Sequence, residues 1–318
     1  MAELYNVVVK NRHVEGGNVV VLEFESITDE ALPTIEAGAH IDVYLPNGMI
    51  RQYSLCQNPQ QQGIFRLGIL NDPDSRGGSL SAFTEIHKDM RLQVSAPRNL
   101  FPLLRNEKHS VLIGGGIGIT PLITMAYQLM NEGASFELHY CGKSATCSAF
   151  VDEIKTSELA KYTHFHFKDK GANHREFIAK SFENISIGTH VYTCGPNGFM
   201  DWVINLAKSQ KVPEENIHKE YFQIETDLTG DAFEVVAQRS RKIIMVNSDE
   251  TILSALSREG IHIEMSCEQG VCGTCMCDVI EGVPDHRDVY FTDEEKADNE
   301  QILVCCSRSQ SPRLVLDI

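Results

Sequence analysis

The chain has 318 residues, of which 42% are hydrophobic and 23% charged, and its formal net charge is −16. These values are ordinary for a soluble globular protein of two or three domains, and the negative charge argues against a nucleic-acid partner. No apolar run approaches the roughly 18 residues of a membrane span. The N-terminal sequence lacks the apolar region of a signal peptide, and the ten cysteines are not spaced as a disulfide framework. We therefore expect a cytoplasmic protein with no membrane partner.

The first part of the sequence, residues 1–104, predicts a small antiparallel β-barrel. Residues 4–10, 18–24 and 39–45 are rich in Val, Ile and Leu and are broken by turn residues. Pro46-Asn47-Gly48 predicts a turn between two strands. Short strands separated by turns, with little helical periodicity, are typical of a barrel.

Two motifs in this barrel are suited to a phosphate ligand. In RQYSL, Arg51 can hold a phosphate with two hydrogen bonds, and Tyr53 lies on the same strand face and can stack on a flat ring. Ser54 places a hydroxyl on the other face. The SRGGS motif, residues 75–79, opens a helix predicted from Ser81 to His87, and free amides at a helix start bind anions. Together the motifs favour a bound phosphate over a plain turn.

Residues 105–226 alternate between predicted strands and helices, which predicts a doubly wound parallel sheet. The predicted strands are Ser110–Ile113, Phe136–Tyr140, Thr163–Phe167 and His190–Thr193, and the helices include Ser148–Ile154, Arg175–Ser181 and Phe199–Ser209. Glycine-rich turns, GGGIGITP and CGPNG, follow the first and fourth strands, where ligands of such sheets bind. Neither has the usual G-x-G-x-x-G dinucleotide spacing, although a pyrophosphate over the helix start is physically sound.

Near the C-terminus, SCEQGVCGTCMC has the C-x4-C-x2-C spacing of plant-type ferredoxins, which wrap a 2Fe-2S cluster. The three cysteines are Cys267, Cys272 and Cys275. A zinc site is the alternative. Alignment of the later Cys-Cys-Ser with the ferredoxin pattern makes Cys305 the fourth ligand, so that Cys306 and Cys277 pack as small apolar residues. Strand alternation through Ile302–Cys306 would place Cys305 and Cys306 on opposite faces.

The last predicted domain, residues 227–318, is a small β-grasp-like α+β unit. Its predicted elements are a hairpin of residues 233–236 and 242–246, the helices Thr251–Glu259 and Thr292–Asn299, and a final strand Leu314–Ile318. Residues 231–318 contain 17 Asp and Glu but 8 Lys and Arg, a balance of 8 − 17 = −9. This acidic surface either steers a basic patch of a redox partner or only keeps the protein soluble.

The three parts in this order resemble the phthalate dioxygenase reductase family over essentially the full chain. RQYSL, SRGGS, GGGIGITP, CGPNGFM and SCEQGVCGTC with its late cysteine together give the resemblance. AGAHIDVYLPNG and SCEQGVCGTC are most similar to the vanillate O-demethylase reductases within it. The resemblance implies FMN in the barrel, NADH on the central α/β domain and a 2Fe-2S cluster in a plant-type ferredoxin domain.

The resemblance also implies roles for individual residues. The FMN-binding residues would be Arg51, Gln52, Tyr53, Ser54, Gly77, Gly78 and Ser79, with Ser54 bonding near flavin N5 and Phe222 covering the flavin. The nucleotide would lie on Gly115, Gly116, Gly118 and Thr120, and its nicotinamide beside Cys194, Gly195 and Pro196. Ser54 and Cys194 are the candidate catalytic residues. Asp169 would accept the adenosine ribose hydroxyls, although Lys168 and Lys170 leave NADPH use open.

The implied function is that of an oxygenase reductase component. NADH gives a hydride to flavin N5, and single electrons pass through the cluster to a Rieske-type aromatic oxygenase or demethylase. A pure electron carrier is disfavoured, because a ferredoxin domain alone needs only about 90 residues. The alternative is a general NAD(P)H-dependent flavin and iron-sulfur protein that serves another acceptor. The substrate pocket would then lie in the partner.

Overall fold

The computed structural model describes residues 3–28, 30–105, 108–171, 174–183, 185–223 and 227–318. The chain divides into two compact units, residues 1–222 and 223–318. The first unit contains both the predicted barrel and the predicted parallel sheet, and the second contains the cysteine motif. The finer domain boundaries, after residues 104 and 226, stay predictions, and the second of them adjoins residues 224–226, outside the described ranges.

Six antiparallel strands form the N-terminal barrel. They are β1 (Leu4–Glu15), β2 (Val19–Ser26), β3 (His40–Tyr44), β4 (Ile50–Ser54), β5 (Ile64–Leu70) and β6 (Arg91–Ser95), in the order β4-β3-β6-β1-β2-β5. A bridge between Leu55 and Leu67 joins the two edges of this sheet, so the strands close into the barrel that the sequence predicts. Val20, Leu22 and Phe24 fill its interior, as expected for the two-residue period of a strand.

The barrel helix α1 spans Gly78–Thr84, so the prediction of Ser81–His87 is wrong by one turn. Gly77 has a left-handed φ of 97°, a conformation that glycine adopts without a Cβ clash, and the helix starts immediately after it. At the other end the Met90 amide donates to the His87 carbonyl over 3.1 Å, which places His87 in a separate turn. Gly78 and Ser79 therefore lie inside the first helical turn.

A five-stranded parallel sheet forms the rest of the first unit, which confirms the predicted doubly wound α/β architecture. Its strands are β7 (His109–Gly115), β8 (Phe136–Gly142), β9 (Thr163–Phe167), β10 (Thr189–Cys194) and β11 (Ile217–Glu220), in the order β11-β10-β7-β8-β9. Its helices are α2 (Ile119–Glu132), α3 (Val151–Thr156), α4 (His174–Phe182) and α5 (Asn197–Ser209). The sequence did not predict β11, because IHKE is short and polar. The predicted start of α3 at Ser148 is wrong, because Ser148 is extended and Phe150 is left-handed.

The second unit is a five-stranded sheet with two short helices and a two-stranded ribbon. The elements are β12 (Phe233–Ala237), β13 (Lys242–Val246), α6 (Ile252–Arg258), β14 (Met276–Glu281), β15 (Pro284–Asp285), α7 (Asp293–Asp298), β16 (Gln301–Leu303), β17 (Arg308–Ser309) and β18 (Arg313–Leu316). The main sheet has the order β13-β12-β18-β14-β16, and β15 pairs with β17. The predicted hairpin of β12 and β13 is confirmed.

One strand prediction in this unit is wrong. β16 ends at Leu303, and Val304, Cys305 and Cys306 form a turn instead of continuing the strand. Both cysteines are buried, and because they lie in a turn they do not follow the alternation of a strand. Helix α7 starts after Thr292 because this residue and Glu295 form a capping box. Among the helices of the residues described above, none is long and apolar enough to cross a membrane.

Candidate functional site

The two phosphate-suited motifs of the barrel lie against each other. A Cβ atom added to Gly78 would come within 2.7 Å of Arg51 Cγ and 2.9 Å of Arg51 Nε, so the arginine side chain covers the first turn of α1. Arg51 Nη1 also donates to the Ile50 carbonyl over 2.8 Å. Ser79 Oγ accepts from the Asp72 amide over 3.3 Å, which ties the helix start to the preceding loop. The geometry thus places a guanidinium beside the first amides of α1, which suits a phosphate.

Two polar side-chain atoms of β4 are buried without a partner. Gln52 Nε2 and Tyr53 Oη make no hydrogen bond within the described part of the chain. Burial raises the pKa of Tyr53 well above its usual value, so its hydroxyl stays a neutral donor. A buried donor without an acceptor costs about 1–3 kcal/mol, so a polar ligand that reaches these atoms removes that cost. This strand therefore fits a polar, ring-containing group such as FMN.

Ser54, Glu220 and Cys194 meet at the ends of three strands. Ser54 Oγ donates to Glu220 Oε2 over 3.3 Å. Cys194 is opposite Glu220 in the parallel register of β10 and β11. Although part of the Glu220 residue is exposed, its carboxyl group is enclosed, and burial raises its pKa to about 8. The pKa of the Cys194 thiol is raised first by burial and then by the Glu220 carboxylate. The sequence predicted roles for Ser54 and Cys194 but none for Glu220, because its strand was not predicted.

The two glycine-rich turns of the parallel sheet are in contact, as the topology predicts. Gly114 and Cys194 are partners in the register of β7 and β10. A Cβ on Gly118 would lie 2.3 Å from the Cys194 carbonyl oxygen, and one on Gly195 would lie 3.0 Å from Gly115 Cα. Only glycine allows these backbones to approach so closely. The predicted nucleotide and nicotinamide residues therefore share one edge of the sheet.

The remaining predicted nucleotide residues lie at or near the same edge. Gly116 is exposed, with a φ of 59° and open space beside it. Thr120 is buried at the start of α2, and its hydroxyl donates to the Ile117 carbonyl over 3.0 Å. Asp169 is exposed in a single turn after β9, and its amide donates to the Lys143 carbonyl over 3.0 Å.

Two other predicted residues are positioned by packing. Pro196 Cδ would lie 3.2 Å from a Cβ on Gly115, so the proline covers the first glycine-rich turn. Phe222 is half-buried and packs against the core between the parallel sheet and α2. It therefore lies within the first unit, two residues after Glu220.

The predicted cluster ligands are buried thiols of the second unit, and three of them, Cys267, Cys272 and Cys305, interact through their sulfurs. The four are Cys267, Cys272, Cys275 and Cys305. The pKa of Cys272 is raised first by its hydrogen bond with Cys267 and then by burial, which places these sulfurs side by side. For Cys267 the hydrogen bond with Cys272 lowers the pKa, but the interaction with Cys305 and burial outweigh it, so the pKa is raised.

Backbone amides support these sulfurs as a cluster site requires. The Gln269 amide donates to Cys267 Sγ over 3.3 Å, and the Thr274 amide donates to Cys272 Sγ over 3.5 Å. Among the described residues no three His, Cys, Asp or Glu side chains converge as a single metal ion would need. A 2Fe-2S cluster instead spans two irons, each with two thiolates. The buried, amide-supported thiols fit such a cluster.

The cysteine loop packs tightly against its surroundings at two glycines. Gly270 has a φ of 70°, and a Cβ there would lie 2.5 Å from Cys306 Sγ. Gly273 has a φ of 74°, and its Cβ would lie 2.4 Å from Tyr290 Cζ. Cys306 thus lies beneath the loop, where its thiol also interacts with the Cys305 thiol. Cys277 is likewise buried, with its sulfur 3.8 Å from the Cys275 carbonyl.

Two family models match parts of the chain, one in the parallel-sheet region and one in the region of the cysteine motif. A family model described as an oxidoreductase NAD-binding domain matches residues 112–204, and a 2Fe-2S iron-sulfur cluster binding domain model matches residues 235–310. The chain is 42% identical to a vanillate O-demethylase oxidoreductase of Pseudomonas sp. (strain HR199 / DSM 7063), over 99% of this chain and 100% of that protein. It is 34% identical to the solved phthalate dioxygenase reductase, with a TM-score of 0.77 over 99% of this chain and 98% of that one.

The chain belongs to the phthalate dioxygenase reductase family. It is an NADH-dependent oxidoreductase whose cofactors are FMN and a 2Fe-2S cluster, so these predictions are confirmed and the zinc alternative is wrong. The reductase is also 32% identical to part of an intact type IV self-sufficient cytochrome P450 monooxygenase, with a TM-score of 0.85. That match covers 100% of the reductase and 42% of the longer protein.

Proposed function

We propose that this reductase is the electron-donating component of a two-component, Rieske-type aromatic oxygenase or demethylase. The observation that supports this most directly is the similarity to a vanillate O-demethylase oxidoreductase along the whole of both chains. The oxygenase is then a separate protein, and we propose that both work in the cytoplasm. The balance of −9 over residues 231–318 suits a partner with a basic docking surface.

We propose that β4 and α1 hold FMN. Arg51 binds the phosphate together with the amides of Gly77, Gly78 and Ser79, while Gln52 and Tyr53 donate to polar atoms of the ring system. FMN, when bound, takes two electrons from NADH together, and the cluster takes them singly. Phe222 covers the ring system and excludes water from it.

The Ser54–Glu220 pair is proposed to hold a proton beside this site. With a pKa of about 8, Glu220 is largely neutral at pH 7. Ser54 Oγ donates to Glu220 Oε2, which leaves Oε1 to hold the carboxyl proton. A neutral carboxyl can donate that proton to a ligand atom, whereas a carboxylate can only accept. The Cys194 thiol, whose pKa burial raises, would lie beside the nicotinamide without adding a charge.

Nucleotide binding is assigned to the carboxyl edge of the parallel sheet. We propose that Gly115, Gly116, Gly118 and Thr120 bind the pyrophosphate, and that Gly195 and Pro196 position the nicotinamide beside Cys194. Asp169 accepts the hydroxyls of the adenosine ribose. Because a 2′-phosphate would be repelled by this carboxylate, Asp169 favours NADH, although Lys168 and Lys170 would attract the same phosphate.

The cluster ligands are proposed to be Cys267, Cys272, Cys275 and Cys305. The first two and Cys305 interact through their sulfurs, and Cys275 is buried in the same core. Cys305 is preferred to Cys306 because it interacts with Cys267, whereas Cys306 packs under Gly270. We also propose domain boundaries after residues 104 and 226, which separate the proposed FMN, nucleotide and cluster sites.

A second acceptor class is supported by one observation. The reductase is similar over its whole length to part of a self-sufficient cytochrome P450 monooxygenase. A sequence similar to the whole reductase therefore also occurs as part of a longer cytochrome P450 monooxygenase chain. A general electron-transfer protein for another acceptor is therefore the alternative to an oxygenase reductase.

Removal of the cluster tests the proposed electron route. In Cys272→Ala we expect NADH-dependent reduction of ferricyanide to persist, because the dye takes electrons from the flavin. Reduction of cytochrome c and support of a purified Rieske oxygenase should be lost, because both lie beyond the cluster. Cys277→Ala, which changes a buried cysteine outside the ligand set, is the matched control.

The acceptors distinguish the two candidate functions. Wild-type protein should support turnover of an aromatic substrate by a Rieske oxygenase and should give no turnover with an isolated P450 haem domain. Full oxygenase turnover in the cluster-free Cys272→Ala protein would mean that electrons leave directly from the flavin. The role proposed for the second unit would then be wrong.

A further inference from the structure

Thr124 is a buried threonine of α2 whose hydroxyl bonds to the barrel. Its Oγ1 donates to the Leu55 carbonyl over 2.7 Å, and both residues are fully buried. The same hydroxyl lies 3.5 Å from the Thr120 carbonyl, one turn earlier in α2. A hydroxyl has one proton, and the shorter contact is the stronger acceptor position. The threonine therefore bonds across to the barrel instead of back to its own helix.

The Leu55 carbonyl belongs to a peptide group that is held from two sides. The other half of this peptide group is the Cys56 amide, which donates to the Arg66 carbonyl over 2.9 Å. The Leu55 amide, on the preceding peptide, donates to the Ala39 carbonyl over 2.8 Å. A buried carbonyl needs a hydrogen-bond partner, and Thr124 supplies one from α2. The barrel strands and α2 thus fix this peptide together.

This hydrogen bond connects the two proposed cofactor sites by a short path. Leu55 directly follows Ser54, the last residue of β4. Thr124 follows Thr120 by one turn of α2, and the Thr120 hydroxyl donates to the Ile117 carbonyl in the glycine-rich turn. One peptide, one hydrogen bond and one helical turn therefore join the end of β4 to the start of α2.

Other contacts within the first unit keep the barrel and the parallel sheet together. Arg66 of β5 donates to both carboxyl oxygens of Glu153 in α3, over 2.9 and 2.5 Å, and Tyr127 Oη donates to Glu153 Oε1 over 2.5 Å. A Cβ on Gly68 would lie 2.7 Å from Phe150 Cζ, so β5 also packs closely on the residue before α3. Loss of the threonine hydroxyl should therefore leave the two parts assembled and change only their fine alignment.

We propose that Thr124 is a positioning residue that aligns the nicotinamide with the flavin for hydride transfer. The proposal rests on the proposed function, in which FMN lies on β4 and the nicotinamide at the carboxyl edge of the parallel sheet. Hydride transfer needs reacting atoms about 3–3.5 Å apart, and a misplacement of about 1 Å can slow a reaction about a hundredfold. A short buried hydrogen bond between α2 and the residue after Ser54 limits such a displacement.

The kinetic test compares Thr124→Val, which removes the hydroxyl but keeps the branched shape, with Thr124→Ser, which keeps the hydroxyl. In the holoprotein, the rate constant for flavin reduction at saturating NADH should fall about tenfold in Thr124→Val and return to within about twofold of wild type in Thr124→Ser. The Kd values for NADH and FMN should change by less than about twofold, because the proposed binding residues are intact. Thr156→Val is the control, because this exposed threonine of α3 only donates to carbonyls of its own helix.

Hydrogen exchange gives a readout that does not depend on turnover. Because the Cys56 amide shares its peptide group with the Leu55 carbonyl, its exchange should quicken by about tenfold or more in Thr124→Val. Exchange should stay unchanged in Thr124→Ser and in Thr156→Val. If Thr124→Val does not fold, Thr124→Cys replaces it with the same expected directions, since a thiol is a weaker donor than a hydroxyl.

The outcomes separate this role from the function on which it rests. Unchanged exchange of the Cys56 amide in Thr124→Val overturns the proposal, and so does faster exchange with unchanged flavin reduction. An equal loss of flavin reduction in Thr124→Val and Thr124→Ser would assign the effect to packing and also overturn it. If Ser54→Ala and Gly118→Ala both leave flavin reduction by NADH unchanged, the proposed cofactor positions are wrong, and hydrogen exchange still tests the Thr124 hydrogen bond by itself.

Discussion

Ser54 and Glu220 join the barrel to the parallel sheet through a 3.3 Å hydrogen bond between Ser54 Oγ and Glu220 Oε2. Burial raises the pKa of Glu220 to about 8, from an ordinary value of 4.5. Between these values the folded protein binds more protons than the unfolded chain, so the free energy of unfolding should fall as pH rises, by up to about 1.4 kcal/mol per pH unit. Below pH 4.5 this contribution is fully present, and above pH 8 it is lost.

Glu220→Gln tests this pH dependence, because glutamine cannot ionise. The melting temperature of the variant should depend less on pH between 5 and 8 than that of the wild-type protein. Glu215→Gln changes an exposed glutamate of the same region and should leave the wild-type profile unchanged. Identical profiles for Glu220→Gln and wild type would show that the carboxyl already ionises normally in the folded protein.

Gly118→Ala should separate the two glycine-rich turns. The added Cβ would lie 2.3 Å from the Cys194 carbonyl oxygen, which belongs to the backbone and cannot rotate away. Overpacking of this kind costs about 1–3 kcal/mol, so we expect lower thermal stability and a higher KM for NADH. Gly198→Ala is the control, because nothing lies within 4 Å of its Cβ position. An unchanged KM in Gly118→Ala would argue against a nucleotide site at this contact.

Arg51→Ala should weaken FMN binding. A charge-assisted contact with a phosphate contributes on the order of 1.5–3 kcal/mol, so the Kd for FMN should rise by about tenfold to a hundredfold. Both ferricyanide and cytochrome c reduction should fall and recover when excess FMN is added. Arg91→Ala, an exposed arginine on strand β6 of the same barrel, should retain FMN as the wild-type protein does. Equal flavin titrations of the two variants would remove Arg51 from the phosphate site.

Cys305→Ala and Cys306→Ala distinguish two adjacent buried cysteines. If Cys305 is the fourth ligand, its removal should abolish the visible absorbance of the cluster and the stoichiometric iron content. Cys306→Ala should keep both, with a modest loss of stability from the cavity left under Gly270. Cluster loss in Cys306→Ala with retention in Cys305→Ala would show that the alignment of this turn is off by one residue.

The sequence predicted the architecture because strong local signals define it. Short apolar strands broken by turns indicated the barrel, the alternation of strands and helices indicated the parallel sheet, and the C-x4-C-x2-C spacing indicated the cluster. Element boundaries were less predictable where a single backbone angle decides them. Gly77 and Phe150, with left-handed φ values, shifted the starts of α1 and α3 by about one turn.

What the sequence alone determined is therefore the order of the three parts and the residue types that suit a phosphate and a 2Fe-2S cluster. Only the tertiary structure decided which distant residues meet. Glu220 lies on a strand too short and polar to be predicted, yet parallel pairing with β10 places it beside Cys194 and within reach of Ser54. Arg308 belongs to a two-residue strand, and only the folded chain brings the carbonyls of Leu228, Asp231, Asn247 and Glu250 around it. Local patterns in a sequence record periodicity and spacing, whereas contacts between residues far apart in the chain depend on how the whole chain packs.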